Sequence, residues 1–165
     1  MKKTLNWKRG TFSTTYRIFS DEQAIGELQN SAFKQTSQGS IGRKKYTFRT
    51  KGLFKQETQI LDGNSNKPVG NITYGSMMTK ATIQLPDRTV SWKYDNRWQT
   101  RWSLFDEQGS LMKFAGRSTK GTIDCEELDE LLVLTGLFIT NYYQQAMIAV
   151  FVAVFIPIWV TVFNN

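Results

Sequence analysis

The stretch DELLVLTGLFITNYYQQAMIAVFVAVFIPIWVTVFNN, residues 129–165, contains no charged side chain after Glu130. As one continuous helix from Leu128 to Phe163 it would be about 54 Å long at 1.5 Å per residue. A helix that is apolar all round is either the core of a domain or a membrane span. Neither a barrel interior nor a bilayer core of about 30 Å holds that length, so the segment has to serve two environments. Its composition changes midway. ELLVLTGLFITNYYQQ combines Leu131, Leu132, Leu134, Leu137 and Phe138 with Thr135, Thr140, Asn141 and Tyr142, and ends on Gln144-Gln145. This half is read as the plug of a domain. Residues 146–163, AMIAVFVAVFIPIWVTVF, are interrupted only by Thr161. Here Ile148, Phe151 and Phe155 form the apolar body, and Trp159 lies where an aromatic sits at a headgroup interface. This half is read as a membrane tail, which Pro157 kinks without forbidding. A second packed helix or a buried strand are the alternatives.

The body before this segment shows no helical stripe. It shows period-two alternation with turn signals about every ten residues. In KKYTFRTKGLFKQETQIL, Tyr46 and Phe48 project to one face and Lys45, Thr47 and Arg49 to the other, until Lys51-Gly52 ends the strand and another restarts near Phe54. LDGNSNKPVG is the strongest turn and predicts a hairpin. Further strands are expected at 6–9, 14–19, 24–29, 32–36, 69–74, 80–85, 89–94, 101–105, 111–115 and 117–122. Turns separate them, among them Gln38-Gly39-Ser40. About twelve short antiparallel strands would leave long exposed edges unless the sheet closes. The fold class expected is mainly β: a closed antiparallel barrel of about 12 strands around a central hydrophobic helix at 125–145, followed by the apolar tail. Trp92, Tyr94, Trp98, Trp102 and Phe105 are read as wall-packing aromatics. Asp124 is read as the helix cap, accepting the N–H of Glu127. DCEELDE lacks the glycine turn and ligand spacing of a calcium loop, so no metal is assigned.

Composition narrows the chemistry. There is no histidine and one cysteine, Cys125, which removes histidine-dependent triads, the commonest zinc ligand and any intramolecular disulfide. All 21 Lys and Arg lie at or before Lys120, whereas five of the 14 acids lie between Asp124 and Glu130, so the body up to Lys120 carries a net +12. Such a surface favours phosphate-bearing partners, either anionic lipid headgroups or nucleic acid; a well-solvated lysine-rich surface is the plain alternative. The N-terminal residues have no apolar run of signal-peptide length. The body is expected in the cytosol, with the tail entering a membrane after synthesis.

A body of about twelve antiparallel strands followed by an acidic cap and the helix EELDELLVLTGLFITNYY resembles the tubby C-terminal-like superfamily, which includes tubby-like proteins, phospholipid scramblases and LURP-one-related proteins. The resemblance covers roughly residues 3–145 and rests on pattern and element order. It looks closest to the small single-domain bacterial and LURP-one-like members. It implies a closed barrel around a hydrophobic helix and a non-enzymatic, lipid-associated role. No lipid-binding motif of the family matches residue by residue, and the tail beyond Gln145 departs from the compact family plan.

Three function classes follow. The first is a membrane-associated binding or scaffold domain that meets anionic phospholipid through the densest basic run, Arg43, Lys44, Lys45, Arg49, Lys51 and Lys55. All but Lys44 share a strand parity and so one face. The second is a nucleic-acid-binding barrel using SWKYDNRWQTRW, where Trp92, Trp98 and Trp102 alternate with cations. Catalysis is the third and weakest. Cys125 lies among carboxylates that raise its pKa, GSIG lacks the lysine and helix of a phosphate loop, and no cofactor is assigned.

Overall fold

A computed structural model describes residues 1–31, 35–52 and 56–163. Twelve strands run in chain order: β1 (Lys3–Arg9), β2 (Thr15–Ser20), β3 (Gln23–Gln29), β4 (Thr36–Ile41), β5 (Lys44–Lys51), β6 (Glu57–Asp62), β7 (Pro68–Tyr74), β8 (Lys80–Gln84), β9 (Thr89–Tyr94), β10 (Arg101–Asp106), β11 (Gly109–Arg117) and β12 (Lys120–Cys125). Each pairs antiparallel with its chain neighbours, and β1 pairs with β12, so the sheet is a closed barrel without free edges. Closure joins Lys3 to Cys125 and Trp7 to Gly121, and is secured by the Thr4 hydroxyl donating to Asp124 Oδ1 at 2.7 Å. The mainly β fold expected from the alternation is the fold observed.

One helix, α1 (Glu130–Phe163), follows β12. Residues 132–141 are buried on every side, because they fill the barrel. The helix packs against β3 and β4 on one side and β10 on the other, and β4 and β10 lie six strands apart around the ring. Phe138 stacks on Phe48 of β5 with centroids 4.6 Å apart. Leu132, Leu134, Leu137 and Phe138 all belong to the core, and Leu131 is partly buried against it.

Two expectations are corrected. Gln38-Gly39-Ser40 is not a turn but the middle of β4. A Cβ on Gly39 would stand 2.9 Å from Leu134 Cδ2, so the glycine marks close approach of wall and helix rather than a reversal of the chain. The expected strand at 32–36 lies mostly outside the described residues, and so does the restart at Phe54. The helix cap is also displaced. Asp129, not Asp124, accepts the N–H of Leu132 at 3.1 Å, while Asp124 lies in β12 at the closure seam. The helix therefore begins at Glu130 rather than near 125.

Candidate membrane-facing end

In an up-and-down barrel alternate connections share an end, and this sorts the loops here. At the entry end, where β12 hands the chain to α1, lie the connections β2–β3, β4–β5, β6–β7, β8–β9 and β10–β11. At the exit end, where α1 leaves the barrel, lie β1–β2, β3–β4, β5–β6, β7–β8, β9–β10 and β11–β12.

The helix is fixed at both ends. At the entry, Arg88 Nη2 meets Asp129 Oδ2 at 2.7 Å and Lys44 Nζ meets Glu130 Oε2 at 3.0 Å. Glu130 is partly buried, which pushes its carboxyl up, but its own backbone N–H and Lys44 outweigh this and hold it below the usual range. At the exit, the Tyr143 hydroxyl donates to the Lys80 carbonyl and accepts from the Gly75 N–H at 3.2 Å. The Tyr142 hydroxyl donates to Gln56, and its ring stacks on Tyr74 at 3.9 Å. These two tyrosines tie the helix to the β5–β6 and β7–β8 connections.

Beyond them α1 continues without a break. Burial fades over Gln144, Gln145, Ala146 and Met147, and from Ile148 to Val162 every residue is exposed. Ile148, Phe151, Phe155 and Trp159 project into solvent, and Phe151 and Phe155 stack on each other. The helix is long and apolar enough to cross a membrane, and its most hydrophobic 18-residue window is entirely unburied. Thr161, its one polar side chain, is satisfied locally by donating to the Pro157 and Ile158 carbonyls.

Charge divides between the two ends. Assigning each described residue to the nearer end of its strand, the exit half holds eleven cations against three carboxylates, Glu27, Glu57 and Asp95. The entry half holds eight cations against eleven carboxylates, even with Lys113, at the middle of β11, counted there. All three ion pairs among the described residues lie at the entry. No described cation of the exit half is within ion-pair distance of a carboxylate.

Each half has a cleft beside the helix. The entry cleft, of about 610 Å³, includes Lys44, Arg88, Asp129 and Glu130, so its cations are already neutralised. The exit cleft, of about 530 Å³, is lined by Arg9, Trp98, Arg117, Gln144, Met147 and Ile148. Arg9 is held there by its Nε donating to the Ser118 carbonyl at 2.9 Å and its Nη1 to the Tyr16 hydroxyl at 3.1 Å. Burial pushes the Tyr16 hydroxyl up to about 12 against the opposing pull of Arg9, so it stays protonated.

The predicted basic run is not gathered in one place. Lys45, Arg49 and Lys51 do share the outer face of β5, but Arg43, Lys44 and Lys45 stand at the entry and Arg49 and Lys51 toward the exit, about 20 Å apart at 3.3 Å per residue. Lys44 is engaged by Glu130, and Lys55 lies outside the described residues. Of the aromatic stretch, Trp92 and Trp102 are core residues and Tyr94 is packed against the core. Phe105 is partly buried with Lys93 Nζ 4.9 Å from its ring centroid. Trp98, read as a wall residue, is instead 85% exposed on the β9–β10 connection. Cys125 is buried at the closure seam, and burial, then Asp124, pushes its thiol up against the pull of Lys3. No group of three or more potential metal ligands occurs among the described residues.

Sequence reasoning missed the exit end as a unit. Its described cations come from five different strand pairs, and the readable signal was the placement of Phe12, Met77 and Trp98 in turns whose alternation puts them at one end. Comparison of the chain with protein-family models, with curated proteins and with solved structures finds no match.

Proposed function

We propose that this protein is a membrane-anchored, non-enzymatic binding or scaffold domain, held to a bilayer by residues 146–163 and drawn to anionic phospholipid by cations of the exit half. One observation carries the reading: the helix whose first half is the barrel core continues unbroken into a half that is apolar all round and exposed from Ile148 to Val162. Leaving so much apolar surface in water costs about 25 cal/mol per Å², and a bilayer removes that cost. The unpaired exit-half cations suit the same surface, at about 1 kcal/mol each near anionic lipid before screening. Of the basic run singled out from sequence, Arg49 and Lys51 belong to that half. Arg9 and Arg117 flank a cleft beside Met147 and Ile148, which suits a phosphate next to an acyl chain. The resemblance to the tubby C-terminal-like superfamily supports the same reading, with a cytoplasmic location for the barrel.

The test is fractionation of the full chain beside one truncated after Gln145. The full chain is expected in the membrane fraction, released by detergent, and the truncated chain in the soluble fraction. Full-length protein that is soluble and monodisperse without detergent overturns the anchor. Flotation of the truncated chain with vesicles then reads the headgroup preference: equal recovery on phosphatidylcholine and on phosphatidylcholine with phosphatidylserine overturns the anionic-lipid part alone.

A further inference from the structure

Resting on that anchor, we infer that the exit rim is itself a bilayer-contacting collar, in which Phe12, Met77 and Trp98 insert among anionic headgroups and hold the barrel upright on the membrane. Apart from Met1 and the helix, these three are the only exposed large hydrophobic residues among those described, at 100%, 79% and 85% exposure. Each is at the tip of a different connection, β1–β2, β7–β8 and β9–β10, and all three connections are at the exit. The entry connections have none. Three residues placed independently by the chain thus surround the one helix that leaves the barrel.

Helix length brings the collar to the bilayer. Residues 148–163 rise about 24 Å, short of a hydrocarbon core of about 30 Å. A span therefore uses the whole exposed segment and draws in the turn at Ala146 and Met147, leaving no spacer between rim and headgroups. Tyr142 and Tyr143 fasten that turn to the β5–β6 and β7–β8 connections, so the rim cannot swing away. Met77 lies two residues beyond Gly75, which donates to Tyr143. Charge selects the occupant. Arg97 adjoins Trp98 in sequence, and Arg9 and Arg117 line the cleft that Trp98 shares with Met147 and Ile148. Aromatic and apolar tips among unpaired cations match the boundary between acyl chains and anionic headgroups. A second copy of the chain would bring an equally positive rim against this one.

Site-directed spin labelling of the full chain tests this in vesicles of phosphatidylcholine, alone and mixed with phosphatidylserine. In a Cys125→Ala background, labels are placed through Phe12→Cys, Met77→Cys and Trp98→Cys, with Gln108→Cys on the β10–β11 turn as the aqueous reference and Phe155→Cys in the tail. Collision with oxygen against a water-soluble nickel chelate gives each label's depth. The three rim labels are expected about 5–10 Å into the headgroup and acyl boundary, deeper with phosphatidylserine, while Gln108→Cys remains in water. Rim labels as accessible to nickel as the Gln108 label overturn the collar. Rim labels shielded only through dipolar contact with one another identify a second copy and also overturn it. The Phe155 label reports separately on the anchor: a tail label in lipid with rim labels in water defeats the collar alone, and a tail label in water defeats the anchor.

Discussion

The two halves of α1 are both predominantly apolar and have opposite fates. Residues 132–141 are buried, and residues 148–162 are all exposed. An apolar composition alone therefore does not decide which half is buried. What distinguishes them is small and polar detail. The inner half has Gly136, where Phe114 presses in, and Thr135 and Thr140, whose hydroxyls donate to the Leu131 and Gly136 carbonyls. It ends on two tyrosines that bond the rim. The outer half has bulky Val, Ile and Phe with no device for a protein neighbour. A core helix is shaped to one set of partners, and a lipid-facing helix need only be apolar.

Substitutions in the two halves should separate them, most strongly at equivalent large side chains. Leu134→Ala removes a fully buried group and should cost about 2–5 kcal/mol, read from the denaturation midpoint. Phe151→Ala should shift that midpoint by no more than about 0.5 kcal/mol, and an equal loss at both sites would erase the distinction. Gly136→Ala sets two effects against each other. Helix propensity favours alanine by about 1 kcal/mol, but the new Cβ would lie 2.4 Å from Phe114 Cζ, and Phe114 is stacked on Trp102. Overpacking of about 1–3 kcal/mol should win, and a raised midpoint would show that the ring yields.

Smaller effects follow at the entry. Asp129→Ala removes the cap bond to Leu132 and the partner of Arg88, and should cost about 0.5–2 kcal/mol without changing membrane partitioning. Acid should act on the inner half alone. The Asp124 carboxyl is held down chiefly by the Thr4 hydroxyl, against burial and with help from Lys2 and Lys113, and Glu130 is also depressed. Carboxyls lower in the folded state than in the unfolded chain contribute stability that is full above the unfolded value, about 4, and lost as pH falls through the folded values. The denaturation midpoint should thus fall below about pH 4, while partitioning of the tail, which has no titratable side chain, stays constant. Asp124→Asn should flatten the acid limb.

The barrel was legible because alternation and turn chemistry are local, and twelve strands with nowhere to hide their edges imply closure. Gly39 was not, because a glycine opposite a helix and a glycine in a turn are the same letter until Leu134 is known to face it. The cap was misplaced for a related reason: Asp124 and Asp129 both precede the helix, and the pairing of β12 with β1 and β11 keeps Asp124 in the sheet. Strand parity put the outward cations of β5 on the correct face, but parity is blind to height along a strand, so Lys45 and Lys51 looked adjacent while standing toward opposite ends. Tail and plug were separable because the segment is too long for one environment and its composition changes after Gln145.

The pairing of Lys3 with Cys125 has a kinetic consequence. The seam joins strands separated by nearly the whole barrel sequence, and the helix that fills the interior comes later in the chain than either. A ring closed by its most distant strands has high contact order and belongs with domains that fold in milliseconds to seconds rather than microseconds. Until β12 arrives β1 waits for its second partner, and until α1 follows the inner faces of the strands have no filler. The same apolar helix must be kept from aggregating during that interval, so the slow step of folding depends on the segment that carries the most exposed apolar surface.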